Sequence, residues 1–252
     1  MISLQKASVG KRIIATIFDG ILISIIAVGL IALLSGVLKS DAYLDKVNDA
    51  YAKYESKYDI QFRITKSQYD EMSSEQQNNW NAAYDELLND KDALYDYNMW
   101  INLTLSITAI SILLSVIVVE FAVPLFFGNG QTLGKKIFGI ALMHKDGIKV
   151  SNVQLFARTV LGKFAIELMI PIYILMMIYF NSIGIISVVI LAILLVIQLV
   201  CLITSRTYSL LHDVIAGTVV VDMASQKIFD SREDLIDYTK KLHAQKANEK
   251  VY

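Results

Sequence analysis

The sequence predicts an all-α polytopic membrane protein: a four-transmembrane-helix bundle with a long extracytoplasmic helical hairpin and a small cytoplasmic β-sheet. Three observations lead there. Of 252 residues, 55% are hydrophobic and mean hydropathy is +0.49, more apolar than a water-soluble domain of this size. The apolar residues gather in three long blocks, Ile13 to Leu38, Met99 to Phe127 and Phe164 to Thr204. Lysine and arginine cluster in some of the connecting segments, and acids in the other.

Residues 1–38 form the N-terminus and the first span. Lys6, Lys11 and Arg12 precede an apolar run that continues well beyond the roughly 7–15 residues of a secretory signal. No small-residue cleavage pattern follows, so a retained anchor is expected. Residues 39–98 form the outer hairpin. Ser40 to Asn98 contains neither Pro nor Gly. Leu44, Val47, Tyr51, Tyr54 and Tyr58 recur at three- and four-residue steps, an apolar seam on one helix face. The Ser73 to Gln77 stretch offers Ser-x-x-Gln capping boxes. Behind it, Trp80, Tyr84, Leu87, Leu88, Leu94 and Tyr95 form a second stripe. The first span is therefore expected to continue outward, turn near Asp59 to Met72 and return as an antiparallel pair. The tyrosines are read first as packing of the hairpin on itself, with docking of a partner or of wall polymer as the alternative.

Residues 99–127 form the second span, and Gly128 to Gly130 end it. Within residues 128–163, IALMHKDGIKV reads as two short strands around Lys145-Asp146-Gly147. NVQLFARTVLGKF reads as an amphipathic lead into the third span. The last apolar block would be roughly 60 Å long as one helix, about twice the hydrocarbon thickness, so it must fold back. The turn residues of Phe180 to Gly184 divide it into spans 164–180 and 184–204. In residues 205–252, Thr218 to Val221 is a plausible third strand for the hairpin, and a charged tail follows Ile228.

The positive residues set the orientation. Lys6, Lys11 and Arg12 precede the first span. Lys135, Lys136, Lys145, Lys149, Arg158 and Lys163 lie between the second and third, and Arg206, Lys227, Arg232, Lys240 and Lys241 follow the fourth. These three regions are expected in the cytoplasm, both termini included, in a multi-pass protein of the cell membrane. The first loop carries Asp70, Glu71, Glu75, Asp85, Glu86, Asp90, Asp92 and Asp96, and Tyr95, Tyr97 and Trp100 mark its membrane interface. No basic block suggests nucleic acid, no Cys/His cluster has metal-ligand spacing, and no glycine-rich phosphate loop occurs. The lone Cys201 builds no disulfide. No nucleophile set recurs within the spans, so an enzyme is not expected, nor a cofactor or metal.

The ordered combination of Arg12 and Asp19 in GKRIIATIFDG, GQTLGKKIFGI from Gly130 to Ile140, the Asp-Gly hairpin, Arg158, and Asp213 in LLHDVIAGTVVVD resembles the RDD family of prokaryotic membrane proteins. On this resemblance Gly130, Thr132, Gly134, Lys135, Arg158, Gly217 and Thr218 belong to the family pattern. The resemblance implies a membrane protein, with transport of unidentified ligands often suggested and cation/proton exchange attributed to some members. The helical insertion between the first two spans lies outside that pattern.

Ionisable groups inside a span cost roughly 2.5–3.5 kcal/mol each at mid-helix, so each calls for a partner or a use. Arg12 and Asp19 lie seven residues apart, on one face of the first span but about 10 Å apart along its axis. Asp19, Glu120, Glu167, Gln198, Arg12, His212 and Asp213 are all expected at one depth near the inner leaflet. Counted this way, four acids face the single cation Arg12. That excess suggests binding of a monovalent cation or protons, with His212 relaying protons. The first expectation is thus a small cation or proton-coupled transporter. The alternative is a membrane adaptor or regulator that binds a partner through the outer hairpin or the sheet. Outward from Asp19, the same face shows Ile26, Leu30 and Leu34. With no polar path across the bilayer in one chain, a homo-oligomer or a protein partner is expected.

Overall fold

The computed structural model describes residues 5–179, 184–205, 207 and 209–249. The chain is mostly helical, with one small sheet, and divides into two compact units: residues 27–111, and the remainder. Among the described residues, two helices are long and apolar enough to cross a membrane, α1 (Val9–Leu38) and the continuous helix Lys91–Phe127. The latter comprises α5 (Lys91–Ile117), a π-helical turn (Val118–Ala122) and α6 (Val123–Phe127). The break expected at Phe180 to Gly184 lies outside the described residues apart from Gly184, as does Arg206.

In the unit of residues 27–111, α2 (Ser40–Tyr58) packs against α4 (Ser74–Asn89). Ser73 caps α4 through a reciprocal bond with Gln76, and Thr65 does the same with Gln68 for the short α3 (Lys66–Asp70). These boxes satisfy amide donors that a helix start otherwise leaves open. Val47 and Tyr54 of the expected α2 seam are buried, with Leu44, Tyr51 and Tyr58 half-buried. On the returning helices the expected stripe holds only at Leu87 and the half-buried Trp80. Ala83 and Leu87 are buried, while Tyr84, Leu88, Leu94 and Tyr95 are exposed. The small Ala83 side chain lets α2 approach closely, which turns the bulky neighbours outward.

Acids on the return path meet lysines and tyrosines of α2. Lys46 pairs with Asp96 at 3.2 Å, Lys53 with Asp90 at 3.3 Å, and Lys57 with Glu86 at 2.6 Å. The Tyr54 hydroxyl donates to Asp90 (2.9 Å) and that of Tyr58 to Glu86 (2.6 Å). Trp80 stacks on Tyr84 and meets Phe62 and Tyr69 edge-on, closing the tip.

The second unit is built on strands β1 (Ile140–His144) and β2 (Thr218–Asp222), antiparallel with Leu142 opposite Val220. Residues 5–7 add to the other edge of β2: Ala7 N–H donates to Val220 O and Asp222 N–H to Gln5 O. The three-stranded hairpin read from the sequence needs correction. Thr218–Asp222 pairs with β1 directly, and the second arm of the Asp-Gly turn gives one bond back to β1, His144 N–H to Ile148 O, and a bridge from Ile148 to Phe229. The physical reason is length. Ser151 already caps α8 (Asn152–Phe156), leaving three residues after Gly147. Both faces of the sheet are buried. Ile140, Leu142 and Val220 pack with Ala15 and Leu155, while Ala141, Met143, Val219 and Val221 pack under Ile228.

From α8 the helix continues as a π-helical stretch, Ala157–Met169, then α9 (Ile170–Tyr179). The apolar α10 (Gly184–Thr204) follows, then α11 (Leu211–Ala216) before β2 and α12 (Arg232–Glu249) after it. α12 makes the charged tail helical.

Asp90 both clamps α2 and caps α5, its Oδ1 accepting from the amides of Asp92 and Ala93. The Ala93 amide, the Tyr54 hydroxyl and Lys53 hold its carboxyl down, to about 2. A carboxyl depressed by folding stabilises the fold above its ordinary value near 3.8 and loses that contribution as pH falls toward the depressed one. Asp90→Ala is expected to raise hydrogen exchange at the start of α5 and along α2 at pH 7. The difference from the parent should shrink as pH falls from 4 toward 2.

Candidate functional site

The buried ions of the second unit converge from five segments of chain. The first anchor is Asp19, almost three turns into α1 and 2% exposed. Its carboxylate accepts from the Thr132 hydroxyl and, at 2.8 Å, from the Gly134 amide. Thr132 is the N-cap of α7 (Leu133–Ile137), its oxygen also accepting from Lys135 N–H at 3.2 Å. Asp19 thus seats the start of α7 on α1. The seat is tight: a Cβ on Gly134 would lie 2.4 Å from Ala15 O and 2.9 Å from Asp19 Oδ1. Only glycine fits.

Seated this way, α7 turns Lys135 inward and Lys136 outward, the latter over the Phe127 ring at 3.8 Å. Lys135 Nζ reaches Glu120 Oε2 at 3.4 Å. Glu120 is 3% exposed in the π-helical turn, where it also binds Lys163 and lies 3.5 Å from Arg158 Nη1. The Glu120 carbonyl oxygen accepts from Thr159 Oγ1 at 3.0 Å. Burial pushes the Lys135 ammonium down to about 8, against the opposing pull of Glu120.

Arg158, Lys163 and Glu167 all lie in the long π-helical stretch. At about 100° per residue, nine residues would set Arg158 and Glu167 on opposite sides of a helix. The wider i→i+5 winding brings nine residues close to two full turns, so both serve one site. Arg158 donates from Nε to Asp213 Oδ1 at 2.9 Å. Asp213 accepts as well from Thr218 Oγ1 (3.1 Å) and from Arg12 Nη2 (3.3 Å). Arg12 also donates to Thr207 O.

The last link is His212, whose Nδ1 lies 2.7 Å from Glu167 Oε2 and whose Nε2 lies 3.6 Å from Asp213 Oδ2. Glu167 also accepts from the His212 amide (3.0 Å) and from the Gln198 side chain. Gln198 Oε1 in turn accepts from Leu211 N–H. Gly162 permits this approach, since a Cβ there would lie 2.6 Å from His212 Cβ. Burial holds His212 below its ordinary value, Arg158 adding to the effect while Asp213 and Glu167 oppose it. Asp213, although buried, is held well below the carboxylate range by Arg158, His212 and Arg12.

A model of the RDD family matches residues 6–217. The chain belongs to the RDD family. Neither the curated proteins nor the solved structures compared with it give a match. In this RDD protein the matched region runs from Lys6, at the edge of the sheet, to Gly217, and Thr218 lies one residue beyond.

Of the seven polar residues expected in one layer, Arg12, Glu120, Glu167, Gln198, His212 and Asp213 are linked through ion pairs and hydrogen bonds, while Asp19 bonds Thr132 and Gly134. The expected charge count needs correction. Lys135, Arg158 and Lys163 join Arg12, so four cations balance four acids. The sequence count took the ions between the second and third spans as markers of orientation, when three of them point into the site. Lys163 reaches across to Glu120. Of the family-pattern residues, Thr132, Gly134, Lys135, Arg158 and Thr218 belong to the site, while Gly130 and Gly217 supply left-handed turns. Gly162 was missed, because its need arises only when α11 packs on it.

Gly134→Ala and Gly162→Ala are each expected to destabilise this unit by about 1–3 kcal/mol, the cost of overpacking a close contact, measured by thermal unfolding in detergent. A second expectation concerns pH. With its folded value below 6.5, His212 binds fewer protons in the folded state than in the unfolded one. Stability should therefore fall as pH drops through 6.5. His212→Asn, whose amide can still donate to Glu167, should flatten that slope in thermal unfolding between pH 5 and 8.

Proposed function

We propose that this RDD-family protein crosses the cell membrane four times, with both termini in the cytoplasm, and acts as a small proton-coupled transporter. The parity of the sheet supports the topology. Residues 5–7, β1 and β2 are hydrogen-bonded together, so they share one side of the membrane. Between residues 7 and 140 the chain must then cross an even number of times, as α1 and the Lys91–Phe127 helix allow. The same parity applies between residues 144 and 218, where α9 and α10 run. The lysines and arginines of those segments favour the cytoplasmic side.

The observation that carries the transport reading is the chain Glu167–His212–Asp213, at 2.7 and 3.6 Å. An imidazole beside a carboxylate can take a proton on one nitrogen and release one from the other, while Asp213, held ionised by Arg12 and Arg158, acts on it as a fixed charge. His212 and Glu167 both line a cavity of about 510 Å³. A proton fits better than a resident alkali cation, because each of the four carboxylates already accepts from protein donors. Asp19 serves by seating α7 and so placing Lys135. The apolar face of Ile26, Leu30 and Leu34 leaves the outer half of the path to an oligomer or to rearrangement.

In proteoliposomes under a monovalent-cation gradient, the parent should move protons faster than empty vesicles, and Asp19→Asn and His212→Asn should fall to the empty level. A parent indistinguishable from empty vesicles would remove the transport reading. For topology, in a Cys201→Ser background, Thr65→Cys should react with an impermeant maleimide in intact cells, and Lys241→Cys only after permeabilisation.

A second reading, a membrane adaptor, draws on the exposed Tyr84, Leu88, Leu94 and Tyr95 of the hairpin. Under it, deletion of residues 43–95 removes a crosslinked partner and leaves proton flux unchanged.

A further inference from the structure

The ionic network is neutral as a whole but not as seen from the cavity beside it. Four cations line that cavity, Arg12, Lys135, Arg158 and Lys163, against two acids, Glu120 and Glu167. The remaining acids, Asp19 and Asp213, are buried behind the wall and do not line it. With His212 neutral, the wall carries a net excess of two positive charges. A low-dielectric cleft lined by one sign of charge concentrates ligands of the other.

The rest of the wall is apolar. α1 contributes Ile13, Ile17, Gly20 and Ile23 along one face, and Leu168 and Leu202 come from the helices opposite. Ile13 and Ile17 line the cavity yet remain 54% and 57% exposed, so it opens along the apolar flank of α1. A water-soluble anion entering that way would pass over hydrocarbon. An amphiphile would not have to leave it. The volume, about 510 Å³, is that of a site for a small ligand. It takes a headgroup and the first acyl carbons of a lipid, with the remaining chain lying outside along α1.

We propose that this cavity binds an anionic membrane lipid, its phosphate against the cationic wall and its acyl chains leaving past Ile13 and Ile17. Arg12 and Lys163 are the phosphate contacts, because their side chains are the more exposed of the four cations, at 13% and 18% against 8% for Lys135 and 2% for Arg158. Lys163 commits one N–H to Glu120 and has two more to offer. Glu167 at the same wall disfavours a second anion. The inference names the ligand of the site described above. It rests on α1 lying in the bilayer, and is independent of whether protons move.

The test uses the full chain in nanodiscs of phosphatidylcholine containing either phosphatidylglycerol or phosphatidylcholine with a photoactivatable diazirine acyl chain. Labelling of residues 9–23 is measured relative to residues 188–196, a mostly exposed apolar stretch of α10 that does not line the cavity. Both probes carry the phosphodiester, but the choline cation of phosphatidylcholine is repelled by the cationic wall, so the phosphatidylglycerol probe should exceed it in this ratio by about tenfold, or about 1.4 kcal/mol. Lys163→Gln should remove most of that preference. Ile17→Trp, which fills the mouth and touches no ionic partner, should lower labelling by both probes even if Lys163→Gln fails to fold.

Equal ratios for the two probes would overturn the proposal. So would labelling unchanged by Ile17→Trp. Loss of labelling on adding soluble glycerol 3-phosphate would assign the cavity to a free phosphate ester and overturn the lipid as occupant. Proton flux at the empty-vesicle level with the lipid preference intact would remove the transport reading and leave this one standing.

Discussion

A carboxylate almost three turns inside an apolar helix has to be met by donors, and the unit around Asp19 is organised by that requirement. No single neighbour on α1 can supply them, since Arg12 is seven residues away and engages Asp213. The donors come from a five-residue helix with a threonine cap and a glycine thin enough to touch α1. Seating that helix fixes Lys135, Lys135 meets Glu120, and Glu120 gathers Lys163 and Arg158. Arg158 then joins Asp213, and Asp213 joins β2 through Thr218. The charges form one connected chain of bonds because each, left alone away from water, would be far costlier than the pair.

The winding of the helices serves the same end. Glu120 and the Arg158–Lys163–Glu167 set both fall in π-helical segments. A regular α-helix would have sent Arg158 and Glu167 to opposite faces. Such segments are intrinsically less favourable than α-helix, and here the ionic contacts hold them. The two glycine contacts, Gly134 on α1 and Gly162 on α11, bring backbones close enough for the ion pairs to form.

The sheet plays a different part. Two strands and an N-terminal edge segment make no enclosure for chemistry, but they tie together three stretches of chain far apart in sequence. Whatever lies between those stretches must leave and return on the same side. The Lys11–Asp222 ion pair at 2.7 Å reinforces that tie in the first turn of α1. The hairpin of residues 27–111 needs no such tie, being clamped by its own lysine–acid and tyrosine–acid pairs.

Much of the architecture is legible in local patterns. Apolar runs such as Ile13 to Leu38 mark helices because length and composition alone decide them, and Ser73 and Ser151 announce helix starts because a cap acts within three residues. The α2 seam of Val47 and Tyr54 is readable for the same reason. By itself the sequence determined the long helices, the hairpin excursion, the family and most of the polar residues that gather in the ionic network. Tertiary structure alone decided the stripe on α4, where Ala83 and not Tyr84 faces inward, and the strand order, where β2 lies between β1 and the N-terminus. It also decided the charge balance. Lys135 and Lys136 are neighbours with identical side chains, and only the seating of α7 on Asp19 makes one a partner of Glu120 and the other a cation over Phe127. Burial and pairing depend on which segments approach one another, and that information is not local.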